Sequence, residues 1–324
     1  MMDSAAAPAS DSGHVPQTKK RPTGKLPQPA AVLELLKPIT WFAPMWAFMC
    51  GVVSSGVSIT GNWLLAILGV VLAGPLVCAM SQAINDWHDR HVDAINEPDR
   101  PIPSGRIPGR WGLYIAIVWT GLSLALAAVL GTWVFVAACL GLVLAWAYSA
   151  PPLRLKNNGW WGNAAVGFSY EGLAWFTGAA ALIGAFPDWR IVTLAVLYSI
   201  GAHGIMTLND FKAIEGDRQM GVHSLPVQLG VSPAARLACV VMAIPQMVVI
   251  GLLVAWDLPF YALGVAVLLA AQGGLMIRYL LDTPKLLEQP YRMAALYNAT
   301  GTTLYVLGML VSAIGLRGVL VAGG

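Results

Sequence analysis

Long apolar runs, parted by short polar ones, fill the chain from residue 39 onward. A helix needs roughly 20 apolar residues to cross a bilayer. Nine runs approach or exceed that length: 39–58, 63–84, 112–130, 132–149, 162–184, 190–209, 235–256, 258–280 and 291–315. They predict an all-α, polytopic membrane bundle over residues 38–324. Spans three and four are separated only by the Gly131-Thr132 turn. Residues 1–37 break the pattern, being rich in Pro, Ser, Ala and Lys. They are expected to form a disordered cytoplasmic tail. Its Lys19, Lys20, Arg21 and Lys25 make a basic patch suited to anionic lipid.

Composition agrees with the pattern. Charged residues are 11% of the chain and hydrophobic ones 57%, whereas soluble proteins are about a quarter charged. The placement of charge also gives an orientation. With the amino terminus in the cytoplasm, the tail and the loops after even-numbered spans hold Lys37, Arg90, Arg100, Arg106, Arg110, Arg154, Lys156, Lys212, Arg218, Arg236, Arg278, Lys285 and Arg292. Only Arg190 and Arg317 fall on the other side. The positive-inside rule requires such an asymmetry. Cys50, Cys78, Cys139 and Cys239 lie in apolar segments without CxxC spacing. They read as buried hydrophobes, which leaves no disulfide frame or zinc site.

Carboxylates are concentrated in two loops on the cytoplasmic side. The first begins Asn85-Asp86-Trp87 and continues through Asp89 and Asp93. The second begins Asn209-Asp210-Phe211 and continues to Asp217, with Glu215 nearby. Each opens with Asn-Asp-aromatic at the end of an apolar span, a weak internal repeat. Asp86, Asp89 and Asp93 are spaced i, i+3, i+7 and share one face if the helix outruns the membrane. Asp210 and Asp217 are spaced i, i+7 and would share a face in the same way.

Five carboxylates brought together repel one another unless cations join them. The donors are hard oxygens, and His88 and His91 are not needed, so Mg²⁺ or Mn²⁺ suits them better than zinc. Mg²⁺ commonly keeps waters and substrate phosphates beside one or two carboxylates. A phosphorylated ligand is therefore expected. Arg154, Lys156, Lys212 and Arg218, with Arg90 and Arg106 as further candidates, supply positive charge for a departing diphosphate. A site at the ends of spanning helices opens toward lipid, which fits an isoprenoid diphosphate. A transporter using the acidic loops as cation entries is the non-enzyme alternative. It predicts essential charges deep in the spans, whereas these carboxylates gather at one face.

"NDWHDRHVDAINEPDRPIPSG" resembles the NDxxDxxxD motif of the UbiA-type intramembrane prenyltransferases. The stretches "YSAPPLRLKNNGWWGN" and "NDFKAIEGDRQMGVHSLPVQLG" are similar to the chlorophyll and bacteriochlorophyll synthase branch, in wording most like the bacteriochlorophyll enzymes. The resemblance implies nine transmembrane helices around a central cavity, in a bacterial inner, photosynthetic membrane. It implies transfer of a geranylgeranyl or phytyl group from its diphosphate to the propionate of bacteriochlorophyllide. Chlorophyllide, or a quinone or haem precursor, is the alternative acceptor. By position it places Asp86, Asp89, Asp93, Asp210 and Asp217 as catalytic metal ligands, with Asn85 and Asn209 at the substrate. Many members carry DxxxD in the second motif, but position 213 is Ala213 here, and Asp210 is expected to serve instead.

Two embedded polar residues stand apart. Glu171 lies inside span five, where a carboxyl is costly and a functional candidate. It either meets a cation or the pigment, or makes a packing hydrogen bond. His203 in span six either ligates the pigment's magnesium or makes a hydrogen bond within the bundle. Trp160, Trp161, Tyr170 and Trp175 line a pigment cavity or form interfacial belts.

Overall fold

The computed structural model of the protein describes residues 26–322. The basic patch at Lys19, Lys20, Arg21 and Lys25 lies outside those residues. The described residues are almost entirely helical, and their one β-bridge, Asn158 to His223, is isolated. Ten helices carry the fold. They are α1 (Pro29–Leu36), α2 (Phe42–Ser54), α3 (Trp63–Asn96), α4 (Trp111–Leu130), α5 (Thr132–Ser149), α6 (159–183), α7 (Trp189–Asn209), α8 (Val231–Ala255), α9 (Pro259–Leu281) and α10 (Pro290–Ala322).

Eight helices among the described residues are long and apolar enough to cross a membrane. The expected count of nine is therefore not reached by that measure. The segment outside the eight is α6, where the fifth span was expected. It is helical throughout, but Asn163, Ser169 and Glu171 interrupt its apolar run. The boundary at residue 37 also falls differently. Helix α1, inside the stretch expected as tail, buries Ala31, Leu35 and Leu36 against Ala79, Met80 and Ala83 of α3. Ala31 and Leu35 are one helical turn apart, so even this short segment has a face to bury.

Helix α3 explains why the first acidic motif stands where it does. Its 34 residues span about 50 Å, well beyond a hydrocarbon core of about 30 Å. The apolar part comes first, and the polar part through Asn96 projects past it. Pro75 lies inside a π-turn at Leu72–Cys78. Proline lacks the N–H for the normal ladder, and the Pro75 carbonyl accepts from Trp119 Nε1 of α4 at 3.0 Å.

Helices α2 and α6 meet backbone to backbone. A Cβ built on Gly51 would lie 1.9 Å from the Trp175 carbonyl oxygen, and one on Gly178 would lie 2.0 Å from that of Phe48. Small residues permit such approach where no hydrophobic effect drives helices together. Gly178→Val is expected to destabilise the bundle by at least about 1–3 kcal/mol. A thermal melt of the detergent-solubilised protein tests this, with Gly273→Val as control, because no atom lies within 4 Å of that Cβ position. Equal melting points would remove the close-contact argument.

Candidate active site

The amino-terminal segment and three loops gather at one end of the bundle. Gln28 N donates to Arg106 O at 3.2 Å, and His223 N donates to Asn157 O at 2.8 Å. Below them opens a cavity of about 710 Å³. Lys37, Asn85, Arg100, Asp210 and Lys212 line its polar part, with Ser81, Gln82, Tyr170 and Glu171 among its other lining residues.

The first motif keeps the helical geometry expected of it, since α3 runs unbroken through Asp86, Asp89 and Asp93. The three carboxylates do not face each other bare. Lys37 Nζ lies 2.7 Å from Asp86 Oδ1. Arg100 Nη1 bridges Asp86, at 3.6 Å, and Asp93, at 3.0 Å. Arg154 Nη2 donates to Asp89 at 3.1 Å, and Lys156 Nζ sits on the same carboxylate. Burial pulls the Lys156 ammonium below the ordinary lysine value, with Asp89 opposing. Asp86 is 2% exposed, yet its Oδ2 has no hydrogen-bond partner.

Two of these cations are held in uncommon backbone conformations. Among the described residues, Lys37 and Arg154 are two of three non-glycine residues with positive φ, at 47° and 37°. Such positions cost of order 1 kcal/mol or more and persist where the surroundings fix them. Here they aim a cation at a motif carboxylate.

The second motif departs from its expected shape. Helix α7 ends at Asn209, a 3₁₀ turn covers Asp210–Lys212, and a separate helix runs Ile214–Met220. The shared i, i+7 face is therefore lost. Ala213 N donates to Asp210 O at 3.0 Å, which tightens the turn, and Ala213 leaves the helical region at φ −114°, ψ 4°. Asp210 still lines the cavity and accepts from Asn163 Nδ2 at 3.1 Å. Burial raises the Asp217 carboxyl above its ordinary value. Both motifs nonetheless converge, because Asn85 and Arg100 line the same cavity as Asp210 and Lys212.

Other expected residues divide. Asn85 lines the cavity, with Nδ2 3.5 Å from Ser149 Oγ. Asn209 also lines it and accepts from Asn298 at 2.8 Å. Lys212 and Glu171 face the same space. Arg218 does not reach it. Its side chain is 63% exposed and pairs with Glu215 at 3.2 Å. His203 is turned toward Trp160, with Nε2 3.3 Å from that carbonyl oxygen. Lys37, Arg100 and Asn163 were not singled out from the sequence as site residues. Among the described residues no three Asp, Glu, His or Cys side chains form a ready-made metal cage.

An all-helical membrane bundle with a largely apolar cavity, lined at its polar part by Lys37, Asn85, Arg100, Asp210 and Lys212, defines a class. It is an integral membrane protein built to hold a polyanionic head and an apolar body. The UbiA prenyltransferase family matches residues 40–299. The bacteriochlorophyll synthase 33 kDa chain of Cereibacter sphaeroides is 59% identical over 293 residues, covering 90% of this chain and 95% of its own. The chloroplastic chlorophyll synthase of Oryza sativa subsp. japonica is 39% identical over 300 residues, covering 87% of this chain and 75% of its own. A solved UbiA homolog from Archaeoglobus fulgidus, bound to GPP and Mg²⁺, has the same fold. Its TM-score is 0.67 at 21% identity, over 85% of this chain and 99% of its own. The chain belongs to the UbiA prenyltransferase family and is a membrane prenyltransferase.

Proposed function

We propose that this protein transfers a geranylgeranyl or phytyl group from its diphosphate to the propionate carboxylate of bacteriochlorophyllide. The observation that carries this reading is the 59% identity to a bacteriochlorophyll synthase across 95% of that protein's length. The chlorophyll synthase likeness is weaker, at 39%. The cavity adds the physical support, since it joins a charged mouth to a larger apolar space. The site lies at the cytoplasmic face of the bacterial inner membrane, the orientation that the basic residues favour.

Asp86, Asp89, Asp93, Asp210 and Asp217 are the residues that would hold divalent metal, Mg²⁺ before Mn²⁺. The donors fit: all are hard oxygens, and the buried Oδ2 of Asp86 has no partner. Mg²⁺ needs only one or two carboxylates when phosphate and water complete its shell, so a closed cage is not required. When bound, the ion neutralises charge on the departing diphosphate.

The chain's own residues do the rest. Lys156, Lys212 and Arg154 offer cations to the diphosphate oxygens, and Asn85 and Asn209 orient the head group. The bond from the allylic carbon to the diphosphate oxygen breaks, and its electron pair leaves with the diphosphate. A propionate oxygen forms the ester bond to that carbon. The propionate is already ionised near neutral pH, so no general base is needed. The apolar walls keep water from the reactive carbon.

Membranes holding the protein, supplied with Mg²⁺ and geranylgeranyl diphosphate, should esterify bacteriochlorophyllide faster than chlorophyllide. 4-Hydroxybenzoate should give no product. Product from the aromatic acid alone would overturn the acceptor assignment.

A further inference from the structure

Most embedded polar side chains of the bundle find hydrogen-bond partners, but one that lines the cavity has a buried oxygen without any. Gln246 donates to Gln272 at 2.9 Å, and Gln272 donates to Tyr297 at 2.8 Å, tying α8, α9 and α10 together. Trp175 Nε1 donates to Ser54 at 3.0 Å, and Tyr198 shares a hydrogen bond with Ser312 at 3.0 Å. Tyr170, in the cavity wall, meets Ser81 and Gln82, both at 3.1 Å, and Cys78 at 3.3 Å. Its neighbour Glu171 has no such partner. It is 94% buried, from a relative exposure of 6%. Its Oε2 makes no hydrogen bond, and no cation among the described residues is placed to pair with it.

The position is built, not incidental. Glu171 lies in a π-turn, Phe168–Leu173, which shifts the phase of α6. Such turns recur at functional sites. Gly167 and Gly172 flank it, and a Cβ on either would meet α7, at Ser199 O (2.7 Å) or Ser199 Oγ (2.3 Å). This close contact fixes the turn against α7, and Glu171 lines the main cavity. A carboxylate without a cation is costly in a membrane. The group is therefore a neutral carboxylic acid, a hydrogen-bond donor held in the cavity wall. Asn163, the partner of Asp210, and Glu171 stand on the same helix, about 12 Å apart along its axis. That is the scale of one tetrapyrrole.

We propose that Glu171 is the residue that selects the acceptor, donating a hydrogen bond to a carbonyl on the ring edge remote from the reacting propionate. This rests on the acceptor reading above. Bacteriochlorophyllide a bears an acetyl carbonyl at such an edge, where chlorophyllide a bears a vinyl group that cannot accept. A site built around one hydrogen bond discriminates strongly against the ligand lacking it. The same carboxyl, left unpaired, disfavours the vinyl pigment.

Glu171→Leu and Glu171→Gln test the proposal through two readouts. In Glu171→Leu, kcat/KM for bacteriochlorophyllide should fall at least ~10-fold, chiefly through KM, while that for chlorophyllide holds or rises. Glu171→Gln, which keeps a donor, should retain most of the preference. Melting of the Leu variant should be unchanged or higher, because an unsatisfied buried group has been removed. Resonance Raman of bound bacteriochlorophyllide reads the contact directly. The acetyl carbonyl stretch should be lowered in the native protein and in Glu171→Gln, and revert in Glu171→Leu. Equal loss on both acceptors, or an acetyl frequency indifferent to the Leu change, overturns the assignment even with transfer intact. If the native protein neither binds nor esterifies bacteriochlorophyllide, the acceptor reading itself fails, and the role of Glu171 fails with it.

Discussion

Asp86→Ala is expected to stay in the membrane and to lose at least about 10²-fold in prenyl transfer at saturating Mg²⁺. The size of the loss follows from the position. Asp86 is buried on the helix that carries the motif past the bilayer, and two cations converge on it. Without the carboxylate, Lys37 loses its ion-pair partner and remains as uncompensated positive charge beside the place the metal would take, while Arg100 keeps Asp93. Metal binding then weakens, and the departing diphosphate loses its counter-charge. Arg218→Ala is the informative companion. Its cation is exposed and pairs with Glu215, and such pairs are worth little. It should keep activity within about twofold. Comparable losses in both variants would mean that the loops, and not the cavity geometry, carry the function.

Much of this arrangement was legible in the chain, and the parts that were not share a cause. The i, i+3, i+7 spacing of Asp86, Asp89 and Asp93 is a local property of one helix, so sequence alone placed them on one face. Lys37 meets Asp86 across 49 positions, and Asn163 meets Asp210 across 47. Nothing local marks such pairs. Arg100 sits seven residues past Asp93, beyond the end of the helix that carries the motif. The second motif misled for a local reason, because periodicity assumes that a helix continues, and the chain breaks at Ala213. In α6 the same polar residues that lower its hydropathy supply the site. Asn163 holds Asp210, and Glu171 faces the cavity. Functional positions are where local rules are expected to give way.

Chelating divalent ions with EDTA should stop transfer, by at least about 10²-fold, and leave the melting temperature of the protein nearly unchanged. The two halves of this expectation come from different features. The loss of rate follows from the departing diphosphate, whose charge lysines and arginines alone neutralise incompletely. The unchanged fold follows from the ion pairs that the carboxylates already hold. Asp86 has Lys37, Asp89 has Arg154 and Lys156, and Asp93 has Arg100. Asp210 is held by Asn163. Carboxylate repulsion, which would otherwise loosen this end of the bundle once metal is withdrawn, is therefore met by the chain's own residues. Adding Mg²⁺ should restore the rate fully and Mn²⁺ substantially, while Zn²⁺ should serve poorly at a site made of hard oxygens. A large fall in melting temperature on chelation would show that these cations do not stand in for metal. Better rescue by Zn²⁺ than by Mg²⁺ would point to nitrogen or sulfur ligands that this carboxylate set does not contain.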